Sequence, residues 1–198
     1  MPTITPSTAF HVEEIIFKDH WQHIIELRES CRRDKDPRLL EQLFPAGMYD
    51  EFDDSAMHWG VFNEERELIA CARMSVHRET SELPDRYLFS DIWNLELPAP
   101  VASFNRLSVA TAFRGYGIAA QMDYVRLAKA KRIGCRCICG TAHGSRSRKL
   151  SDDGFVRHHS KMLSTLYGTN ELTGHKMPLD FYYKILADDK FRPTEPWH

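Results

Sequence analysis

Ser103-Phe-Asn-Arg-Leu-Ser-Val-Ala-Thr-Ala-Phe-Arg-Gly-Tyr-Gly-Ile-Ala-Ala-Gln121 is the stretch from which the fold is read. It begins as a strand, with Phe104, Leu107 and Val109 apolar and β-compatible. A short loop, Ala110 to Phe113, follows. Arg114-Gly115-Tyr116-Gly117-Ile118-Ala119 then runs into a helix rich in Ala, Gln, Met and Leu. Glycine at 115 and 117 lets the backbone approach a ligand, because no Cβ intervenes. The first N–H groups of the new helix have no internal partners. Strand, glycine loop and helix N-terminus together make an anion site, although the same loop also reads as a plain tight turn.

Outward from this stretch, composition sets the bounds. The chain has 198 residues, 42% hydrophobic and 27% charged, which predicts one globular domain over 1–198 with a loose arm at 1–9. A net charge of -2 gives no global field for nucleic acid, and the apolar runs are too short to insert in a membrane. No secretory signal is visible in the first 15 residues. Cys135, Cys137 and Cys139 alternate like a strand and are not spaced like zinc ligands, so no metal is expected. They read as small buried apolar residues in a reducing, cytoplasmic setting. Between Arg126 and Lys149 there are eight Lys or Arg and no Asp or Glu. That run is either a solvated helix face or a docking surface for phosphates or an acidic protein.

The periodicities predict a mixed α/β sheet with one parallel βαβ unit and an antiparallel N-terminal half. A first strand is expected at Phe10–Phe17, then a helix capped by Asp19 with Gln22 as capping-box partner. Its inward stripe is Trp21, Ile24, Ile25, Arg28 and Cys31, where an arginine needs a partner. A short helix is expected at Arg38–Phe44, then an acidic, aromatic loop at Met48–Asp54. His58–Phe62 and Leu68–Val76 read as a hairpin, and Asp85–Trp93 as a helical segment. Helices follow at Tyr116–Ile133, closed by Gly134, and at Gly144–Asp152, with a buried strand at Cys135–Cys139 between them. Another strand starts at Gly154-Phe155, and Leu179–Ala187 reads as helix.

Arg114-x-x-Gly117-x-Ala119 after a Leu-x-Val strand resembles the pyrophosphate-binding motif of the GNAT acyltransferase superfamily. The resemblance covers roughly residues 58–160. It implies a mixed, twisted central sheet flanked by helices and splayed around the pantetheine-binding motif. A scattered series extends it to about residue 20: Arg28, Asp50-x-x-Asp53, Arg73, the Phe89/Trp93 cluster and Arg106-x-x-Val109. That series resembles the acyl-homoserine-lactone synthases and the long-chain N-acyl amino acid synthases. Both groups usually take the acyl group from an acyl carrier protein instead of coenzyme A. The resemblance therefore implies a phosphopantetheine thioester as co-substrate, an amino acid as acceptor, and no tightly bound cofactor. The carrier protein would dock on the Arg126–Lys149 stretch.

Three positions depart from these families. Ser103 stands where the lactone synthases have Glu, which argues against lactone synthesis. Leu150 stands where many acetyltransferases have the Tyr that protonates the thiolate, and His143 replaces a usual Asn. A thiolate can leave without an acid, so transfer itself survives.

The residue chemistry supports a division of roles. Arg28, Arg73 and Arg106 with Asp50 and Asp53 can form an ion network beneath an amine cleft, or a purely structural cluster. Asp53, Asp50 and Glu51 are candidate bases, with His58 another. The oxyanion would be bound by backbone N–H at Leu107 or Val109. Residues 114–119 would hold the donor's phosphates. Arg28, Arg73, Ser103, Arg106, Phe89 and Trp93 would contact substrate. Phe44, Tyr49, Phe52, Phe89, Trp93 and Phe104 would line an acyl tunnel or simply form core. Three outcomes follow: an N-acyl amino acid synthase, an acetyl-coenzyme A-dependent N-acetyltransferase or lactone synthase, or a non-catalytic acyl-binding module.

Overall fold

A computed structural model describes residues 10–33, 47–84, 86, 95–142, 144–162 and 178–186. Strand β1 (Val12–Ile15) leads into helix α1 (Phe17–Arg33), and the hairpin β2 (Met57–Phe62) and β3 (Leu68–His77) follows. Next come β4 (Val101–Val109), helix α2 (Ile118–Arg132), β5 (Cys137–Ala142) and helix α3 (Ser145–Asp152). Strands β6 (Val156–Met162) and β7 (Pro178–Ile185) complete the described chain. The strands form one sheet in the order β1-β2-β3-β4-β5-β7-β6. All neighbours are antiparallel except β4 and β5, the parallel pair joined through α2.

Alternation along the strands divides the core between two faces. On one, Ala72, Met74, Ala102 and Phe104 pack on Ile118 and Met122 of α2. On the other, Val101, Cys137 and Cys139 pack with Leu83, Leu97, Leu179 and Phe181. Helix α1 covers this second face at Cys71, through Phe17, Ile24, Leu27 and Cys31.

The expected strand, loop and helix of the opening stretch are all present. Gly115 and Gly117 have φ of +88° and +80°. Nothing lies within 4 Å of a Cβ at either position, so backbone conformation, not crowding by the protein itself, calls for glycine.

Several expectations are corrected. The helix expected at Leu179–Ala187 is strand over its described part up to Ile185: β7 inserts between β5 and β6 and is buried on both faces, which conceals its alternation. The first strand is shorter than Phe10–Phe17, because α1 already begins at Phe17. Asp19 therefore lies in the first turn, where the dipole favours it, and is not the cap. Trp21 is exposed, and Leu27 joins the buried stripe instead. Cys135 precedes β5 and joins the α2 cluster, so the three cysteines do not share one face. The arm at 1–9, the helix at 38–44, nearly all of 85–93, and Phe44, Phe89, Trp93 and His143 lie outside the described residues.

Candidate active site

Two local irregularities open the sheet. Strands β4 and β5 pair from Val101↔Cys137 to Phe104↔Gly140, and no later pair is formed although both strands continue. At the last pair the backbones are so close that a Cβ on Gly140 would sit 2.5 Å from the Phe104 carbonyl oxygen. On its other edge, β4 carries a bulge: Cys71 pairs with Ser108 and Arg73 with Asn105, so two residues of β4 face one of β3. Within the bulge Arg106 adopts φ +54°, an uncommon conformation for a residue with a Cβ. The opening holds a cavity of about 990 Å³, lined by residues 48–52, 104–109 of β4, Thr141 and Ala142 of β5, and Ser145 and Arg146 of α3.

One side of this cleft is an ion network. Arg28 of α1 donates to both oxygens of Asp53, at 3.0 and 2.8 Å, and to the Met48 carbonyl at 3.0 Å. Asp53 also accepts the Asp50 N–H at 3.0 Å and lies 3.0 Å from Arg73 Nη1. Arg73 chelates Asp50 with a short Nη1 contact and Nη2 at 3.0 Å. Arg106 donates to the same Asp50 from Nε at 3.2 Å and Nη2 at 2.5 Å. The bidentate geometry locks the 47–56 loop onto β3 and β4.

These contacts decide the titration. Burial raises the Asp50 carboxyl, but Arg73 and Arg106 outweigh it and hold the group at about 2. Burial likewise opposes Asp53, yet Arg28, Arg73 and the Asp50 N–H keep it below the usual carboxylate range. Carboxylates held this way are weak proton acceptors at neutral pH, and Asp53 lies behind the cleft wall, so the geometry disfavours both as bases. Glu51 differs: it is exposed, lines the cleft and joins no ion pair among the described residues.

His58 is also a poor base. It is buried, its ring lies 4.8 Å from that of Phe17, and Nε2 donates to the Asp53 carbonyl at 2.9 Å. Burial, with the Arg28 and Arg73 charges, pushes it down to about 4. Ser103 is buried and does not reach the cleft; its Oγ accepts from Asn105 Nδ2 at 3.2 Å. Leu107 and Val109 line the cleft beside the bulge. The Val109 carbonyl is itself held by Arg114 Nε at 3.0 Å and Cys31 Sγ at 3.3 Å.

At the other end, Arg114 and Ala119 line the cleft, while Gly115, Tyr116 and Gly117 form an exposed loop at the α2 N-terminus. Ile118 is buried core, so its side chain does not face the cleft. Arg126 is fully buried, so the basic stretch cannot present it to a partner. Its guanidinium sits over the Phe104 ring at 4.5 Å and donates to the Arg73 carbonyl at 3.0 Å and to Asp123 at 2.6 Å. Burial is the main reason it is lowered to about 10. Asp123 also accepts both terminal nitrogens of Arg146. Lys129 pairs with Glu14 and Lys149 with Asp153. Lys131, Arg132, Arg136, Arg148 and the paired Lys149 are the exposed cations of the stretch.

Asn105, Asp123 and the inward role of Arg126 were missed in the sequence. For Arg126 a signal existed: Ile118, Met122, Arg126 and Ala130 form a buried stripe at helical spacing. Asn105 offers none, because its role depends on where β3 and β5 lie.

No protein-family model matches the chain, and no curated protein is similar to it. Solved structures are. The chain is similar to arylalkylamine N-acetyltransferase 2 from Aedes aegypti, at 14% identity and TM-score 0.63, over 90% of this chain and 99% of that one. It is similar to a GNAT superfamily phosphinothricin acetyltransferase from Sinorhizobium meliloti, solved with acetyl-coenzyme A, at 15% identity and TM-score 0.59, over 95% of both chains. A chain of the NatC complex, solved with Gag peptide and coenzyme A, aligns at 12% identity and TM-score 0.56, over 91% of this chain and 100% of that one. The fold is therefore the GNAT fold.

Proposed function

We propose that the protein is an N-acyltransferase, moving a fatty acyl group from the pantetheine thioester of an acyl carrier protein to the α-amine of an amino acid. One observation carries the reading: the cleft where β4 parts from β5 ends on one side in an uncapped helix N-terminus and on the other in the Arg28–Asp53–Arg73–Asp50–Arg106 network. The first suits the donor's phosphate. The second gives an arginine-rich wall suited to an acceptor that carries a carboxylate.

The amine nitrogen attacks the thioester carbon, the C–S bond breaks with its electrons to sulfur, and one amine proton passes to a base. Glu51 is the carboxylate best placed to take it, directly or through water. Asp50 and Asp53 act by holding Arg73, Arg106 and the loop in position. The oxyanion is stabilised by β4 backbone N–H groups near Leu107 and Val109. The carrier docks by its acidic surface on the exposed part of the Lys131–Lys149 stretch.

A second reading, acetyl transfer from coenzyme A to a small amine, draws support from the coenzyme A and acetyl-coenzyme A complexes among the similar structures. One experiment separates the two. The protein is incubated with fatty-acyl carrier protein, with acetyl-coenzyme A and with mixed amino acids, and small products are read by mass spectrometry. Long-chain N-acyl amino acids are expected. Acetylated products from coenzyme A alone would favour the second reading, and no product from either donor a non-catalytic acyl-binding module.

A further inference from the structure

We infer that the side-chain amide of Asn105 hydrogen-bonds the carbonyl oxygen of the bound thioester. Asn105 is the first residue of β4 after its last pair with β5 and the last before the bulge against β3, so it stands where both flanking ladders break. Its side chain lines the cleft. Arg73 Nε lies 2.6 Å from its Oδ1. Arginine can only donate, so the atom facing it must be the amide oxygen, and the NH2 group is turned the other way. One N–H of that group donates to the buried Ser103 Oγ at 3.2 Å. Among the described residues these are the amide's partners, which leaves its second N–H to a molecule bound in the cleft that Asn105 lines.

Arg73, which fixes the amide, is itself held by Asp50 and Asp53, and its carbonyl by Arg126. The donor is therefore a preorganised dipole on a rigid support, the arrangement that favours charge developing on an oxygen. During transfer the amine nitrogen bonds to the acyl carbon, and the carbonyl π electrons move onto oxygen. That oxygen accepts the second Asn105 N–H. Collapse re-forms the carbonyl, expels the thiolate, and leaves the amine proton on the base. Ser103 accordingly acts as a positioning residue, holding the far side of the Asn105 amide.

The inference rests on the acyl-transfer reading. Its test uses Asn105→Asp, which keeps an acceptor for Arg73 and the side-chain volume but removes the N–H donor. Asn105→Ala is the second variant, and melting temperature reports folding of both. With whichever thioester the wild type turns over, kcat should fall about 100-fold in both variants, while the donor KM changes little. Infrared spectra of the binary complex with carbonyl-13C acetyl-coenzyme A, without amine, give an independent readout. The wild type should lower the carbonyl stretch from its free value, and both variants should return it toward that value. Unchanged kcat, or a carbonyl band identical in wild type and folded variants, overturns the inference while acyl transfer stands. A wild type that neither transfers from any thioester nor perturbs the carbonyl removes the acyl-transfer reading and this inference together.

Discussion

Arg28 shows what a single buried charge does to this molecule. It is 1% exposed and faces Asp53, which is 0% exposed. Replacing it with Met leaves the Asp53 carboxylate, among the described residues, with the Arg73 guanidinium as its ion-pair partner. The expected loss is about 3–5 kcal/mol by urea denaturation, with the Arg28→Met, Asp53→Asn double variant losing less than the sum of the singles. The histidines set the pH response. His58 and His77 are both pushed by burial from 6.5 down to about 4. Between those values the unfolded chain binds more protons than the folded one, so stability rises with pH and is lost as pH falls through that window. Further acid then acts on Asp50, whose contribution is complete above 3.8 and fades toward about 2. Urea midpoints at pH 7 and pH 5 should differ, and His58→Gln with His77→Gln should narrow the gap.

At the scale of elements, the decisive event is the parting of β4 from β5. Gly140→Ala would drive a methyl group against the Phe104 backbone oxygen, which has no rotamer with which to yield. The last pair should separate, costing about 1–3 kcal/mol in thermal or urea unfolding and raising the donor KM. Helix α2 is readable in the sequence, because Gly117 and Gly134 mark its ends and Ala, Gln, Met and Leu between them favour helix. Strand β7 was not. Leu179 and Phe181 pack on one side while Tyr182 packs with Ala142 and Leu150 on the other. A strand apolar on both sides carries no period of two, so its short run reads as helix. The bulge in β4 was equally hidden, since no residue in 105–108 is a glycine that would announce it.

For the whole molecule, the basic stretch has to be judged as a surface. Arg126 faces inward, and Lys129 and Lys149 are matched by Glu14 and Asp153. Arg132 and Arg148 are exposed, on α2 and α3 respectively. Reversing both to Glu should raise the carrier-protein KM on the order of tenfold at low salt and less at high salt, with a small thioester donor nearly unaffected. Equal loss with both donors would argue against docking there. Among the described residues no helix is long and apolar enough to cross a membrane.

Sequence alone determined the features that are local along the chain: the strand, glycine loop and helix at 103–121, the hairpin, the parallel unit through α2, and an arginine at Arg28 that needed a partner. Each is written in neighbouring residues, as a period, a cap or a required φ. Tertiary structure decided the rest. It brought Arg28, Asp50, Asp53, Arg73 and Arg106 into one network from four separate elements and loops, and so held two candidate bases as ion-paired carboxylates. It moved Ser103 behind the cleft and Asn105 into it. The physical reason is that protonation state and hydrogen-bond direction depend on what lies across space, which no spacing along the chain encodes.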